Sequence, residues 1–298
     1  MNHLAYQAVR LPRLEYKDLV PGVRIPAIGL GTWGMGGKHA AEYSSDAQSV
    51  DAIRTAIDLG ITHIDTAEYY GAGHTEELVG EAIEPFERKN LFITTKVYRT
   101  HLRYKAIMTS IKKSLKRFRV DYVDLFLVHW PNPKIEIAET AKALEQCVDE
   151  GYTRFIGVSN FSVKQFCDAQ QHLKKHKFVA NQLYYNLTRV GKTYFYGLSV
   201  EDAHSYCREN DILLIAWSPL EQGSLAKPGF PVLDEIANQY GKTQSQVALN
   251  WLISQEKIIA IPKASTVDHI EEFVGAMGWR LSDEDVNRLE ASFRNATG

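Results

Sequence analysis

The segment YVDLFLVHW, from Tyr122 to Trp130, decides the fold class of this 298-residue chain. It is apolar at nearly every position, and a polar histidine and an amphipathic tryptophan stand only at its end. A short apolar run without alternation is typical of a strand that helices cover on one face and a packed interior covers on the other. Because helical patterning follows it, the segment predicts one β-then-α unit.

Seven further segments repeat this pattern of an apolar run followed by an amphipathic stretch. They are AIGLGTW (27–33), THIDT (62–66), LFITTKV (91–97), RFIGVSN (154–160), FVANQL (178–183), ILLIAWS (212–218) and IIAIPKA (258–264). Eight such units in a chain of this length predict an α/β fold, a closed (β/α)8 TIM barrel. A doubly wound sheet is the alternative, but regular spacing without a composition break favours closure. We predict a single domain over 1–298.

The sequence also predicts elements outside the eight units and the starts of four helices. The segment before Ile28 is expected to cap the bottom of the barrel, and the helix from about Ser282 is expected to be an extra one. Capping-box spacings mark four helix starts, at Ser45 with Gln48, Ser162 with Gln165, Thr243 with Gln246 and Ser282 with Asp285.

Composition excludes several classes of protein. The formal net charge is −2, so no broad basic field exists for nucleic acid or an anionic membrane. The three cysteines lie far apart and lack the spacing of metal ligands, as expected for reduced thiols in a cytosolic protein. No signal-peptide core and no run of about 18 apolar residues occurs. We expect a cytoplasmic protein without a metal, a nucleic-acid partner or a membrane partner.

The stretch GLGTWG (29–34) matches the glycine pattern of dinucleotide-binding loops. That pattern needs a helix that starts within the glycines, so that its N-terminus holds a pyrophosphate. Here the first good cap is Ser45, well after the glycines. The stretch therefore predicts a turn on the barrel's catalytic face, where small residues let a ligand approach the backbone; a plain flexible turn is the alternative.

Polar or aromatic side chains stand at the end of nearly every predicted strand. Active sites of such barrels lie at the C-terminal ends of the strands. In chain order, these residues are Asp65 and Tyr70, Lys96, His129 and Trp130, Ser159 and Asn160, Gln182, Trp217 and Ser218, and Lys263. We predict that they meet in one site.

The chain resembles the aldo-keto reductase family from about Gly22 to the final helix. Eight specific motifs occur in order, each in its own unit: GLGTWG, DTAEYYG, TTK, VHWP, GVSNFS, NQLYYN, AWSPL and IPKAS. The resemblance implies reduction of a small-molecule aldehyde or ketone with a nicotinamide cofactor. It also implies a monomer or a weak homo-oligomer.

The resemblance implies that Tyr70 donates the proton and that His129 orients the carbonyl. In physical terms, the Lys96 cation near the phenol is expected to lower the pKa of Tyr70. Asp65 would pair with Lys96 and keep it charged. A neutral imidazole at His129 can donate one hydrogen bond, and histidine rather than glutamate here indicates C=O reduction. The alternatives are a structural ion pair and a core histidine.

The resemblance also implies a cofactor site on the same face. Ser159, Asn160 and Gln182 would hold the nicotinamide carboxamide, and Trp217 would stack on the nicotinamide ring, although it could also be a core tryptophan. The other predicted cofactor contacts are Gly31, Thr32, Trp33, Asp65, Ser218, Leu220, Gln222, Lys263, Ser265, Thr266, His269 and Glu272.

The adenine end departs from the usual family pattern. Lys263 suits a 2′-phosphate, but His269 replaces the usual arginine, and Phe273 replaces the usual asparagine beside Glu272. An arginine fork binds phosphate bidentately, whereas histidine is a weaker, pH-dependent donor. We therefore expect that NADPH is preferred and that NADH is possible.

Aromatic residues are expected to form the substrate pocket. Trp33, Tyr69 and Trp130 would wall it, which suits aldehydes with a non-polar or small hydroxylated tail. The segment 184–198 carries five more aromatic residues and is either a lid or a packed surface loop or oligomer contact.

Two rival functions remain at this point. Some barrels of this kind bind the cofactor but serve as sensors or channel-associated subunits, since a fold does not decide function. A barrel enzyme that binds a phosphorylated sugar is the weaker rival. The intact set of catalytic residue types favours an enzyme.

Overall fold

The computed structural model describes residues 14–194 and 198–295. In chain order, its strands are β1 (Tyr16–Val20), β2 (Val23–Pro26), β3 (Leu30–Gly31), β4 (His63–Asp65), β5 (Phe92–Val97), β6 (Val123–Val128), β7 (Thr153–Ser159), β8 (Phe178–Tyr184), β9 (Thr193–Tyr194), β10 (Leu198–Ser199), β11 (Leu213–Trp217) and β12 (Ile258–Ile261). Its α-helices are α1 (Asp46–Asp58), α2 (His74–Ile83), α3 (Tyr104–Phe118), α4 (Ile137–Asp149), α5 (Val163–Gln170), α6 (Val200–Glu209), α7 (Pro231–Tyr240), α8 (Gln244–Ser254), α9 (Val267–Val274) and α10 (Asp283–Asn295).

Eight parallel strands form the barrel, in the order β12-β11-β8-β7-β6-β5-β4-β3. Parallel bridges from Ile28 to Ala260 and from Gly31 to Lys263 join the two outer strands. A Cβ at Gly31 would lie 2.8 Å from the carbonyl oxygen of Ile261, so this closure needs a glycine. The predicted (β/α)8 barrel is confirmed, and the doubly wound alternative is wrong.

The N-terminal hairpin and the C-terminal helix flank this barrel as predicted. β1 and β2 pair antiparallel, and their buried Leu19 and Ile25 pack against the apolar interior of the barrel. Helix α10 packs on α7, where the Tyr240 hydroxyl donates to Asp285 at 2.9 Å. The hairpin thus closes the end of the barrel opposite the expected site.

Three of the four predicted caps form. Ser162 and Thr243 make the reciprocal capping-box bonds, and the Ser282 hydroxyl accepts from the Asp285 amide. The prediction at Ser45 is wrong, because that side chain makes no cap bond. Its intended partner Gln48 instead donates to the carbonyl of Ser265 at 2.9 Å, which ties α1 to the loop after β12.

Strand alternation places the polar residues of the site. Leu127 and Ile215 lie in the apolar cluster inside the barrel, and side chains two positions further on face the same side. His129 and Trp217 therefore point toward the barrel axis at its C-terminal mouth.

GLGTWG (29–34) forms a barrel strand and its turn, and α1 begins only at Asp46, so the dinucleotide-loop interpretation is wrong. Among residues 14–194 and 198–295, no helix has the length and apolarity that crossing a membrane requires.

Candidate active site

A buried ion pair lies at the centre of the site. The ammonium Nζ of Lys96 donates to Asp65 Oδ1 at 2.5 Å and to the carbonyl oxygen of Thr66 at 2.8 Å. Lys96 is fully buried and Asp65 is 1 % exposed. Burial disfavours the ammonium, but the neighbouring Asp65 and Tyr70 outweigh it and raise the pKa of Lys96. The lysine is therefore held as a cation beside the candidate proton donor.

Tyr70 stands in a short 3-10 turn between β4 and α2. Its hydroxyl accepts a hydrogen bond from Lys96 Nζ at 3.5 Å. The next residue, Gly71, has φ of 56°, and a Cβ there would lie 2.5 Å from the carbonyl oxygen of Gly36. The indole of Trp33 meets the Tyr70 ring edge-on at 4.8 Å between ring centroids. The turn and the loop after β3 together hold the phenol over the lysine.

The pKa of Tyr70 moves in the direction opposite to the expected one. Burial raises the pKa of this phenol, the Lys96 cation lowers it, and the nearby Asp65 raises it again, with a net upward shift. The expectation of a lowered pKa is wrong for the protein alone, because burial of the phenol, the largest of these effects, outweighs the attraction of the Lys96 cation. Tyr70 is accordingly a protonated phenol at neutral pH.

His129 follows β6 and faces Tyr70, with 5.7 Å between the ring centroids. Burial, followed by the Lys96 cation, holds the pKa of His129 well below the ordinary value of 6.5. The imidazole is therefore neutral, as predicted. Its buried Nδ1 finds no hydrogen-bond partner among the described residues, which does not fit a satisfied core histidine.

A continuous line of hydrogen bonds joins the predicted cofactor residues to the ion pair. Trp217 Nε1 donates to Asn160 Oδ1 at 3.0 Å, and Asn160 Nδ2 donates to Ser159 Oγ at 2.9 Å. Ser159 Oγ donates to the carbonyl oxygen of Gln182 at 2.9 Å, and Gln182 Nε2 donates to Asp65 Oδ2 at 2.7 Å. The structure brings these residues together as one polar wall.

Trp217 has a stacking partner that sequence reasoning did not place in the site. The Tyr184 ring lies parallel to the indole, with 4.3 Å between centroids and 12° between planes. Tyr184 was named only as part of the aromatic segment, although its position at the end of β8 was a signal. Tyr184 therefore covers one face of the indole.

The loop after β11 contains three further residues that were predicted to contact the cofactor, Ser218, Leu220 and Gln222. Ser218 and Gln222 have left-handed backbones, with φ of 51° and 54°. Leu220 packs partly against the core. These residues therefore lie in a loop of unusual backbone that directly follows Trp217.

The predicted adenine end lies at β12 and α9. A cavity of about 820 Å³ opens between the loop after β11 and α9, and His269 and Glu272 line it. Lys263, Ser265 and Thr266 lie in the connection that leads into α9. The carboxylate of Glu272 is already bonded to the Thr243 hydroxyl at 2.6 Å. Phe273, which stands where the family usually has an asparagine, is 3 % exposed and packs in the core. Its side chain therefore cannot make the ligand contact of that asparagine.

The mouth of the site contains a column of aromatic rings. Tyr69 stacks on Tyr98 with 4.2 Å between centroids, and Trp33 lies nearly parallel to Tyr69 at 6.4 Å. Tyr98 was not predicted, although it directly follows β5, the strand that carries Lys96. Trp130 is half-buried next to His129.

The aromatic segment is only partly described. Tyr185 is buried and packs on Trp251 at 5.3 Å between ring centroids. Phe195 and Tyr196 lie outside the described residues, so the proposed lid stays a prediction.

The buried pair of Lys96 and Asp65, the phenol of Tyr70 and the neutral imidazole of His129 thus lie together at the C-terminal mouth of the (β/α)8 barrel. The chain belongs to the aldo-keto reductase family, since the model of the Aldo/keto reductase family matches residues 27–293. It is similar to a methylglyoxal reductase of Escherichia coli, with 32 % identity over 91 % of this chain and 92 % of that one. The chain is therefore an oxidoreductase of the carbonyl-reducing class.

Two solved structures extend the comparison. A thermostable aldo-keto reductase in complex with the inhibitor epalrestat has a TM-score of 0.87 and 42 % identity, covering 93 % of this chain and 99 % of that one. An aldo-keto reductase from Klebsiella pneumoniae in complex with NADPH has a TM-score of 0.82 and 32 % identity, covering 94 % and 95 %. The barrel is therefore shared along nearly its whole length.

Proposed function

We propose that the protein reduces small aldehydes, above all α-oxoaldehydes, to alcohols with NADPH as the preferred cofactor. The observation that carries this proposal is the Tyr70 hydroxyl, 3.5 Å from the Lys96 ammonium and facing His129. A protonated phenol beside a fixed cation and a neutral donor suits a carbonyl oxygen that gains negative charge.

The residues present fit a nicotinamide dinucleotide. One face of Trp217 is covered by Tyr184, so a planar ring can stack on the other. Asn160, which accepts from Trp217 Nε1 at 3.0 Å, and Gln182 lie on the same polar wall. The open cavity lined by His269 and Glu272 would take the adenine end. When bound, the nicotinamide would supply the hydride.

The chain's own residues would supply the proton and orient the carbonyl group. The Tyr70 hydroxyl donates its proton to the substrate oxygen, and Lys96 stabilises the phenolate that remains. Asp65 fixes the ammonium. The neutral imidazole of His129 donates a hydrogen bond to the same oxygen and so sets its direction.

The pocket and a relative both support small α-oxoaldehydes as substrates. The column of Trp33, Tyr69 and Tyr98 offers flat apolar walls with hydroxyl edges, which suits a short, uncharged carbonyl compound. The similar protein from Escherichia coli is a methylglyoxal reductase. The test compares kcat/KM for methylglyoxal, glyceraldehyde and a nitrobenzaldehyde with NADPH. A preference for the nitrobenzaldehyde over methylglyoxal would contradict the proposed substrate class.

Changes at His129 should separate the donor role from simple packing. We expect His129→Ala to lower kcat/KM by about 10²-fold, the effect of losing one oxyanion donor, and His129→Gln to retain most of the activity. Because the pKa of His129 is well below 6.5, the wild-type profile should show no imidazole inflection near neutral pH. The measurement is kcat/KM against pH for the three proteins. Equal losses in both variants would contradict the donor role.

Cofactor preference should respond to His269. We expect the wild-type protein to prefer NADPH, and His269→Arg to tighten NADPH binding by about tenfold through a bidentate phosphate contact, with NADH unchanged. His172→Arg, at an exposed position after α5, is the matched control. Calorimetric titration of both cofactors gives the result. A wild-type preference for NADH of tenfold or more in kcat/KM would contradict this part of the proposal.

A further inference from the structure

We propose that Tyr184, Arg189 and Glu221 form a positioning unit that fixes Trp217 as the stacking platform for the nicotinamide ring. This inference rests on the proposed function, in which Trp217 binds that ring. The unit joins two chain segments, the one that runs from the last residue of β8 to Arg189 and the loop after β11. None of its three residues takes part in the proton transfer described above.

The unit begins with stacked planes. Tyr184 lies 4.3 Å from Trp217 between centroids, at 12°. The guanidinium carbon of Arg189 lies over the Tyr184 ring at 4.2 Å from its centroid, and Arg189 Nη2 donates to the Tyr184 hydroxyl at 2.8 Å. Arg189 therefore holds the Tyr184 ring both at its face and at its hydroxyl. The Trp217 indole cannot tilt toward Tyr184 without breaking these contacts.

Glu221 accepts hydrogen bonds from the polar groups of the segment around Tyr184. Its carboxylate accepts from the Tyr184 hydroxyl at 2.5 Å, from Asn186 Nδ2 at 2.8 Å, from Thr188 Oγ1 at 2.9 Å and from Arg189 Nη2 at 3.2 Å. Burial alone would raise the pKa of Glu221, but these hydrogen bonds and the Arg189 charge lower it. The group is a carboxylate that binds four side chains of one neighbouring segment.

The backbone at Glu221 explains why so many contacts are needed. Glu221 has φ of 47° and Gln222 has φ of 54°, and Ser218 has φ of 51°. Non-glycine residues rarely adopt this left-handed region and persist there only when the surroundings enforce it. Asn186 Nδ2 also donates to the carbonyl of Ser218 at 2.9 Å. The unit therefore holds the Trp217 ring and the following loop in one arrangement.

The proposal makes cofactor binding, rather than proton transfer, sensitive to the unit. Losing the Glu221 charge would loosen both the ring platform and the loop, and the cofactor would then have to order them on binding. The proton donor Tyr70 lies in the turn after β4 and its cation Lys96 lies on β5, so both belong to other units of the barrel. The pH dependence of kcat/KM should consequently stay the same.

The test compares Glu221→Gln, Tyr184→Phe and the double variant, with Tyr206→Phe on α6 as the matched control and Trp217→Leu as the reference. Titration calorimetry measures the Kd for NADPH, and urea unfolding measures stability. Each single variant should raise Kd by about tenfold, as the loss of a hydrogen bond to a charged group does. The double variant should raise the Kd by much less than the product of the two single-variant factors. The dependence of kcat/KM on pH should stay the same in all variants. Tyr184→Phe keeps the ring, so it tests the proposal even if Glu221→Gln folds poorly.

Two results would overturn the proposal in different ways. If Trp217→Leu weakens NADPH binding but both single variants stay within twofold of the control, the positioning unit is wrong and the proposed function stands. If Trp217→Leu itself binds NADPH as the wild type does, the stacking role is wrong and the inference falls with it.

Discussion

Replacing Tyr70 with phenylalanine is expected to lower kcat/KM for aldehyde reduction by about 10³-fold, the scale of a lost general acid. The change removes only the hydroxyl that Lys96 approaches at 3.5 Å. The ring remains against Trp33, so the fold and the Kd for NADPH should not change. The measurement is steady-state reduction of methylglyoxal beside a calorimetric titration of NADPH.

Tyr69→Phe is the matched control for this prediction. It removes a hydroxyl from the neighbouring tyrosine, which stacks on Tyr98 in the pocket wall, and should keep kcat/KM within about fivefold, because it leaves the proposed acid in place. If Tyr70→Phe retained activity at the level of this control, another group would supply the proton and the assignment of Tyr70 would be wrong.

The pH profile of the wild-type protein gives an independent view of the same group. Reduction needs the protonated phenol, and burial raises the pKa of Tyr70 above its ordinary value near 10. The activity set by this group should therefore be fully present at neutral pH and fall only as the pH rises through that raised pKa. A fall of kcat/KM between about pH 7 and 8 with an NADPH-saturated enzyme would contradict a raised phenol pKa.

Replacing Lys96 with methionine should have the second large effect, on activity and on stability together. Methionine fills similar space but leaves the Asp65 carboxylate buried without its cation. Breaking a buried pair in this way costs about 3–5 kcal/mol of unfolding free energy. Without the cation to stabilise the phenolate, kcat/KM should fall by about 10²–10⁴-fold. Urea unfolding and steady-state kinetics measure the two effects.

The double variant Lys96→Met with Asp65→Asn separates these effects. Removing both charges should recover most of the stability, because no unpaired charge is left buried, but none of the activity. Lys164→Met is the control, since Lys164 forms an exposed pair with Asp168, and such pairs contribute less than about 1 kcal/mol. Recovery of activity in the double variant would show that Lys96 is only a structural partner of Asp65.

The central pair and the histidine could be predicted because they depend on strand position alone. Asp65, Lys96 and His129 each end an inward-facing row of a barrel strand, so counting along a strand is enough to place them. The aldo-keto reductase motifs then added the roles. The confirmed barrel follows from the same periodicity, since eight apolar runs each need helices to cover them.

Features that depend on loops could not be predicted. Glu221 meets Tyr184 and Arg189 only because two connections, after β8 and after β11, fold against each other. The direction of the Tyr70 pKa depends on how deeply the surrounding loops bury the phenol. Ser45 makes no cap bond, and Gln48 bonds instead to Ser265, more than 200 residues away in the chain, which local spacing does not reveal.

The most direct test of the central claim is the rate at which the wild-type protein oxidises NADPH in the presence of methylglyoxal, followed by the loss of the cofactor's near-ultraviolet absorbance. We expect steady turnover that needs both the aldehyde and the cofactor and that is nearly abolished in Tyr70→Phe. Tight binding of NADPH without turnover on methylglyoxal, glyceraldehyde or a nitrobenzaldehyde would contradict it, and would favour a protein that senses the cofactor instead of using it.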